Sequence, residues 1–115
     1  NDLGNAVSEI EIINSVEQLL EKIEVKFGNI PVAIISVKPS PDRSYLDDKI
    51  KNLNGQLLKI MRERARGSFI NIYAEMLHPN GAMRPELYEP DGLHINTKGY
   101  EIWAKVIKHH LLEQA

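Results

Sequence analysis

The 115-residue sequence contains no cysteine. Within these residues, this absence excludes disulfide bonds, cysteine-ligated zinc, iron–sulfur clusters and a thiol nucleophile. Neither sign of charge is in large excess. The sequence contains 14 lysines and arginines and 16 aspartates and glutamates, which gives a net charge of −2. A dedicated nucleic-acid or anionic-membrane binder shows a basic face. We therefore expect no nucleic-acid partner.

Long hydrophobic runs and internal repeats are missing as well. The longest largely apolar run covers residues 31–37, far short of the roughly 20 residues that a membrane-spanning helix requires. Hydrophobic residues make up 43% of the sequence, which suffices to fill one core, while the length is too short for two ordinary domains. Length and composition therefore predict a single domain without a membrane span.

Turn residues divide the chain into alternating helical and extended segments. Apolar residues recur every three or four positions, which predicts amphipathic helices over Ala6–Phe27, over Leu46–Ala65 with a stop at Gly67, and from Asn96 or Thr97 onwards. Tyr100 and Trp103 fall on the apolar stripe of the last helix and are predicted to lie in the core. Glu75–Pro90 contains three of the six prolines and reads as a long irregular loop, a kind of segment that is often functional.

Two short apolar segments, Val32–Val37 and Phe69–Tyr73, are predicted strands. The first is continuously apolar, so we expect it to be buried on both faces, as in a parallel sheet covered by helices. The order α-β-α-β-α predicts right-handed crossovers and a parallel sheet. Because two strands make a poor sheet on their own, the pattern is typical of the later part of a larger α/β domain.

Asp91 and His94 form the strongest candidate for catalysis. A neutral imidazole can take a proton from a nucleophile at neutral pH, and a carboxylate three positions earlier can accept the other ring N–H and so fix the tautomer. Gly92 permits the tight turn that this contact needs. In the alternative interpretation, Asp91 caps a turn and His94 is a surface or packing residue. The spacing alone leaves both open, because Asp-x-x-His is common.

Other candidates are weaker. The side-chain amide of Asn1 could donate to a developing oxyanion, or the residue could simply cap the first helix. The loop Lys38–Arg43 follows the carboxyl end of a predicted strand, where ligand sites of open parallel sheets lie, so it is either a pocket wall or a segment stiffened for stability. His109 and His110 point about 100° apart on a helix, which indicates a solvated helix end rather than a metal site. No serine stands in a nucleophile turn.

Taken in order, these segments resemble the SGNH, or GDSL-type, esterase family. Asn1-Asp2 matches the end of the family's Gly-x-Asn-Asp block, and Asp91-Gly92-Leu93-His94 matches its final Asp-x-x-His block. Residues 34–43, read as IISVKPSPDR, look like the segment ISIKPSPSR of one bacterial branch, and residues 81–88, GAMRPELY, look like that branch's DGKPRPELF. The resemblance runs from residue 1 to about residue 112.

The resemblance implies a flavodoxin-like three-layer α/β/α domain with a five-stranded parallel sheet, of which residues 1–115 are the C-terminal portion. The family's Gly-Asp-Ser block, its lone Gly and the Gly-x that precedes Asn1 do not occur in these residues. We therefore expect a missing N-terminal part of the same domain, roughly 60 to 100 residues at ordinary element lengths, which would carry the nucleophilic serine. The 115 residues alone are expected to be inactive.

The activity that the resemblance implies is acyl transfer without a metal or organic cofactor. A serine outside this chain would attack an ester carbonyl, His94 would act as its base, Asp91 would orient His94, and Asn1 would donate to the oxyanion. The implied substrate is a small ester, such as an acetylated carbohydrate, and the implied source is bacterial, with the compartment left open. The alternative is a non-enzymatic α/β fragment or interaction module that kept the fold without the nucleophile.

Overall fold

A computed structural model describes residues 8–114 of the chain. These residues form two strands and four helices, with short 3₁₀ helices at Pro41–Leu46 and Pro85–Leu87. In chain order the elements are α1 (Glu9–Phe27), β1 (Val32–Ile35), α2 (Asp47–Glu63), β2 (Gly67–Ile70), α3 (Ile72–Glu75) and α4 (Thr97–Gln114). Helices alternate with strands as far as β2, as predicted, and the short α3 is an additional helix before α4. None of the described helices is long and apolar enough to cross a membrane.

The two strands pair in parallel, which confirms the predicted α/β class. Val32 lies opposite Gly67, and Ile35 lies opposite Ile70. Helix α2 connects the strands and packs against both, while α1 packs against α2. Because both strands run in the same direction, the chain segments that follow them leave the sheet at the same edge.

The second strand is shifted relative to its prediction, because Tyr73 lies in α3 and not in a strand. Ser36 is buried, and its Oγ accepts hydrogen bonds from the backbone N–H groups of Ile72 (2.9 Å) and Tyr73 (3.0 Å). The side chain of Asn71 caps the same short helix. These side-chain acceptors take up N–H groups that a longer strand would have paired with a neighbour, so β2 ends before them.

The first strand ends at Ile35, two residues before the predicted end at Val37. The side chain of Asn54, on α2, pairs with both backbone groups of Val37. The Val37 N–H donates to Oδ1 over 2.7 Å, and Nδ2 donates to the Val37 carbonyl over 3.0 Å. An amide side chain thus replaces the neighbouring strand at this position and fixes the start of the loop that follows β1.

The prediction that β1 is buried on both faces is wrong for the described part of the chain. Val32 and Ile34 are half-buried, whereas Ala33 and Ile35 are exposed. Alternate side chains of a strand point to opposite faces. The elements in residues 8–114 therefore cover only one face of this strand.

Helix α1 begins at Glu9, not at the predicted Ala6, which lies outside the described residues. Ser8 has extended backbone geometry and caps the helix, because its Oγ accepts the backbone N–H of Glu11 over 3.2 Å. The predicted stop is confirmed, since Gly28 follows the last helical residue with a φ of 74°.

Helix α2 ends at Glu63, before the predicted Ala65, and Gly67 starts β2 and does not close the helix. Arg66 makes the turn between them with a φ of 60°. A Cβ at Gly67 would lie 2.6 Å from the carbonyl oxygen of Met61. Gly67 is thus required because the strand starts directly against the last turn of α2.

The predicted apolar stripe of α2 is confirmed and forms one part of the core. Its buried members are Leu46, Ile50, Leu53, Leu57 and Met61. A second cluster brings the long loop and α4 together, with Ile72, Met76, Leu87, Tyr88 and Ile95 buried and Ile102, Trp103 and Val106 packed against them. Tyr100 does not join this core, because it remains 61% exposed. The face of α4 that packs is thus rotated away from the predicted stripe.

The start of α4 is packed closely against the loop before it. Asn96 caps the helix by accepting the Gly99 N–H over 3.1 Å, as predicted, and its Nδ2 donates to the carbonyls of Glu86 and Tyr88. A Cβ at Gly99 would lie 2.6 Å from the carbonyl oxygen of Leu87. Gly99 is therefore a packing requirement, whereas Gly55, in the middle of α2, has nothing within 4 Å of the same position.

We expect Gly99→Ala and Gly55→Ala to change stability in opposite directions. The overlap at Gly99 should lower the free energy of unfolding by about 1–3 kcal/mol. The Gly55 variant should raise it by roughly 0.5–1 kcal/mol, because alanine is the better helix former and meets no obstacle. Urea denaturation of the two variants, each compared with the unmutated protein, measures both changes. Equal effects of the two substitutions would contradict the close approach of α4 to Leu87.

We also expect residues 1–115, produced alone, to associate or to fold poorly. Ala33 and Ile35 are exposed on β1, and Val25 and Phe27, at the end of α1, are 84% and 58% exposed. Exposed apolar surface and an unpaired strand edge favour association. Size-exclusion chromatography with light scattering and thermal unfolding test this. A monomer that unfolds cooperatively would show that the segment is self-sufficient.

Candidate active site

The turn before α4 brings Asp91 and His94 into the contact that their spacing predicts. Oδ2 of Asp91 lies 2.6 Å from Nδ1 of His94. The other oxygen, Oδ1, accepts the backbone N–H groups of Leu93 (2.9 Å) and His94 (3.0 Å). Gly92 has a φ of 66°, a left-handed conformation that glycine adopts readily. The predicted hydrogen bond is present, and both carboxylate oxygens are used.

This arrangement sets the charge of Asp91 and the orientation of the imidazole. The hydrogen bond to His94, together with those from the backbone of Leu93 and His94, lowers the pKa of Asp91 from 3.8 to about 2. The ionised carboxylate only accepts hydrogen bonds, so Nδ1 of His94 must donate. In the neutral ring Nε2 is then the acceptor. The His94 side chain is 76% exposed, so this nitrogen can meet a reacting group.

The loop Lys38–Arg43 is hydrogen-bonded to the turn that contains Asp91 and His94. The carbonyl oxygen of Gly92 accepts the backbone N–H of Asp42 (2.9 Å) and the hydroxyl of Ser40 (3.1 Å). The Lys38 ammonium donates to the carbonyl of Leu93 over 2.7 Å. Part of this loop is the 3₁₀ helix that begins at Pro41. Three hydrogen bonds thus join the segment after β1 to the turn that carries the Asp–His pair.

A cavity of about 370 Å³ lies beside His94. Its lining is mostly apolar and consists of Val37, Lys38, Ser40, Ile50, Leu93, His94, Ile95, Tyr100 and Trp103. The cavity lies beyond the carboxyl end of β1, the position at which open parallel sheets bind ligands. Lys38 and Ser40 form part of the wall, so the loop lines a cavity and, through its hydrogen bonds to Gly92 and Leu93, also holds the turn. The exposed Tyr100 lies on the wall of the same cavity.

Tyr88 fixes the segment on the other side of His94. Its backbone forms an antiparallel bridge with Ile95, and the His94 carbonyl accepts the N–H of Glu89 over 2.8 Å. The Tyr88 hydroxyl donates to the carbonyl of Pro39. Burial raises the pKa of this hydroxyl, so it remains a protonated donor at neutral pH. The sequence offered no signal for this contact, because the partners are 49 positions apart.

His109, near the end of α4, pairs with a carboxylate on the same helix. Glu113 stands four residues later and accepts from its ring, with Nε2 and Oε1 2.9 Å apart. Within residues 8–114, no three histidine, aspartate or glutamate side chains form a cluster that could hold a metal ion. Asn1 lies outside the described residues.

A serine–histidine contact that sequence reasoning missed occurs between Ser68 and His110. Oγ and Nε2 are 3.0 Å apart, although the residues are separated by 42 positions. Ser68 is the second residue of β2, whereas the Asp91–His94 turn lies beyond the carboxyl ends of the strands. Neither Ser68 nor His110 lines the cavity beside His94. We interpret this contact as a structural hydrogen bond that joins β2 to α4.

Comparison with solved structures finds the fold of this chain in proteins described as a lipase and an acylhydrolase. No protein-family model and no curated protein matches the chain. A solved structure from Streptococcus pneumoniae, described as a platelet activating factor, has a TM-score of 0.83 and 24% identity over 96% of this chain and 55% of its own. An acylhydrolase so described from Bacteroides fragilis has a TM-score of 0.76 and 20% identity, covering 94% and 53%. A GDSL-like lipase from Bacteroides thetaiotaomicron has a TM-score of 0.74 and 26% identity, covering 96% and 55%.

These matches confirm the predicted resemblance to the GDSL-type fold. The chain spans about half the length of the solved structures that it matches. The coverage is consistent with the C-terminal part of such a domain. The comparison supports the fold and the broad hydrolase class.

We expect the Asp91 carboxyl to titrate near pH 2 and to return towards 3.8 in a His94→Ala variant, because its largest stabilising contact is then lost. Since the pKa is lowered by folding, this contribution to stability is present above about pH 4 and is lost as the pH falls towards 2. Carbon-13 NMR of the carboxyl carbon measures the titration. His109→Ala serves as the control and should leave the Asp91 curve in place. An Asp91 that titrates normally in the unmutated protein would contradict the geometry.

Proposed function

We propose that this chain supplies the base and the orienting carboxylate of a serine ester hydrolase. The observation that carries the proposal is the hydrogen bond between Asp91 and His94, 2.6 Å long, beside a cavity at the carboxyl end of a parallel sheet. The similarity in fold to a GDSL-like lipase and to an acylhydrolase supports the same hydrolase class. The residues would act as the second and third members of a Ser-His-Asp triad.

In the proposed reaction, a serine hydroxyl from a preceding part of the protein attacks the ester carbonyl. Nε2 of His94 takes the serine proton, and the ionised Asp91 stabilises the resulting imidazolium through Nδ1. The imidazolium then gives this proton to the leaving alcohol, which departs as the acyl-enzyme forms. Water hydrolyses the acyl-enzyme by the same two proton transfers. The side-chain amide of Asn1 is proposed to donate to the oxyanion, and the chemistry needs no metal or organic cofactor.

The proposed substrates are esters of short acyl groups, such as an acetylated carbohydrate. The cavity volume of about 370 Å³ falls at the lower end of the range found for small-molecule sites, roughly 300–1,000 Å³. Its lining is mostly apolar, which suits an acyl group, and His94 stands at its wall. The part of the site that these residues form thus offers room and apolar surface for a short acyl group.

The proposal treats residues 1–115 as the C-terminal portion of one hydrolase domain. Two observations support it. The chain spans about half of each matching structure, and one face of β1 remains exposed in the described residues. The remaining strands and the serine would then come from the preceding part of the domain.

We expect a graded loss of esterase activity when the proposed residues are replaced in the full-length protein. His94→Ala should remove nearly all serine-dependent hydrolysis of p-nitrophenyl acetate, since it removes the base. Asp91→Asn should cost up to about 10⁴-fold in kcat if the carboxylate sets the tautomer. Asn1→Ala should cost roughly 10²–10³-fold, the range for one oxyanion donor.

His109→Ala is the matched control, because this histidine also pairs with a carboxylate but lies outside the cavity lining. It should keep full activity. Residues 1–115 alone should not exceed the background of free imidazole, because they supply the base without an activated serine. A His94→Ala protein with full esterase activity would falsify the mechanism, and a full-length protein without esterase activity would favour the non-enzymatic alternative.

A further inference from the structure

One peptide group in the candidate site is held at both ends. The carbonyl oxygen of Leu93 accepts the Lys38 ammonium over 2.7 Å. The N–H of the same peptide, which belongs to His94, donates to Oδ1 of Asp91 over 3.0 Å. Lys38 and Asp91 are therefore connected through the Leu93–His94 peptide, and the Cα of His94 is attached directly to it.

The two hydrogen bonds reinforce each other. The bond from Lys38 is charge-assisted and half-buried, which makes it stronger than a bond between neutral groups. A cation on the carbonyl polarises the peptide, and hydrogen bonds in such a chain strengthen one another. The His94 N–H therefore becomes a better donor to the carboxylate. A rotation of this peptide would disturb the Asp91 contact and the direction of the imidazole together.

Lys38 is itself firmly placed. Its Nζ lies 5.6 Å from the centre of the Tyr88 ring, within cation–π range. The residue before it, Val37, is bound at both backbone groups by Asn54, and the residue after it, Pro39, accepts the Tyr88 hydroxyl. Burial lowers the pKa of Lys38, while the negative charge of Asp91 raises it. The charge on Lys38 is thus favoured by the carboxylate that it helps to hold.

We propose that Lys38 is a positioning residue that sets the orientation of the His94 imidazole through the Leu93–His94 peptide. Only the expected effect of Lys38 on ester turnover rests on the proposed function. The geometric claim, that the Lys38 ammonium maintains the Asp91–His94 hydrogen bond, can be measured whether or not the protein hydrolyses esters.

The test uses two variants of Lys38 in the full-length protein and one matched control. Lys38→Met keeps the aliphatic stem and removes the ammonium. Lys38→Cys is treated either with 2-bromoethylamine, which rebuilds an ammonium at nearly the same distance, or with methyl methanethiosulfonate, which adds a neutral group. These 115 residues contain no other thiol, and any cysteine elsewhere is replaced first. Lys49→Met is the control, because Lys49 lies exposed on α2.

Two readouts separate positioning from a general loss of structure. Lys38→Met should lower kcat for p-nitrophenyl acetate by up to about 10²-fold, the cost of a small misplacement of a reacting group, with KM unchanged. The downfield Nδ1 proton of His94 should shift or broaden in proton NMR. The aminoethylated cysteine should regain both the turnover and the resonance, whereas the methylthiolated form of the same protein should regain neither. Lys49→Met should change nothing.

The outcomes are distinct. If the unmutated protein lacks esterase activity, the proposed function fails, and the His94 resonance still decides the role of Lys38. An unchanged resonance and an unchanged kcat in Lys38→Met overturn the proposal. A rise in KM with kcat unchanged overturns it too, because Lys38 would then bind substrate. If Lys38→Met does not fold, the two modified forms of the cysteine variant decide, and equal behaviour of both overturns the proposal.

Discussion

The candidate site depends on the hydrogen bonds that join the loop after β1 to the turn before α4. Gly92 and Leu93 offer two consecutive carbonyl groups, and Ser40, Asp42 and Lys38 donate to them. A short exposed turn would otherwise have many conformations, and each fixed residue costs about 1–2 kcal/mol of backbone entropy. The hydrogen bonds limit these conformations. The Asp–His contact is therefore held by a segment more than 50 positions away.

Two polar side chains explain why the loops leave the sheet where they do. Ser36 takes up the N–H groups of Ile72 and Tyr73, and Asn54 occupies both backbone groups of Val37. Each ends the regular pairing of a strand without leaving a buried backbone group unsatisfied. Since the strands are parallel, both endings fall at one edge of the sheet. The cavity beside His94 follows from this shared edge.

Much of the fold could be predicted from local patterns. The helical stripe of α2, the stop at Gly28, the cap at Asn96 and the Asp91–His94 hydrogen bond all depend on residues a few positions apart. The errors fall where distant side chains intervene. The predicted ends of both strands are wrong because their neighbours are side chains from other elements. The prediction that Tyr100 lies in the core is wrong because a helical stripe does not show which of its sides another element covers.

The sequence by itself determined the alternation of helices and strands and the spacing that brings Asp91 to His94, because hydrogen bonds within a turn or helix involve near neighbours. It also carried the four segments of the resemblance, which predicted the hydrolase fold. Only the tertiary structure decided that Lys38 donates to the carbonyl of Leu93, that the Tyr88 hydroxyl donates to the carbonyl of Pro39, and that a cavity lies beside His94. These contacts join residues about 50 positions apart. No local rule specifies them, because they exist only when the parallel strands bring both loops to the same edge.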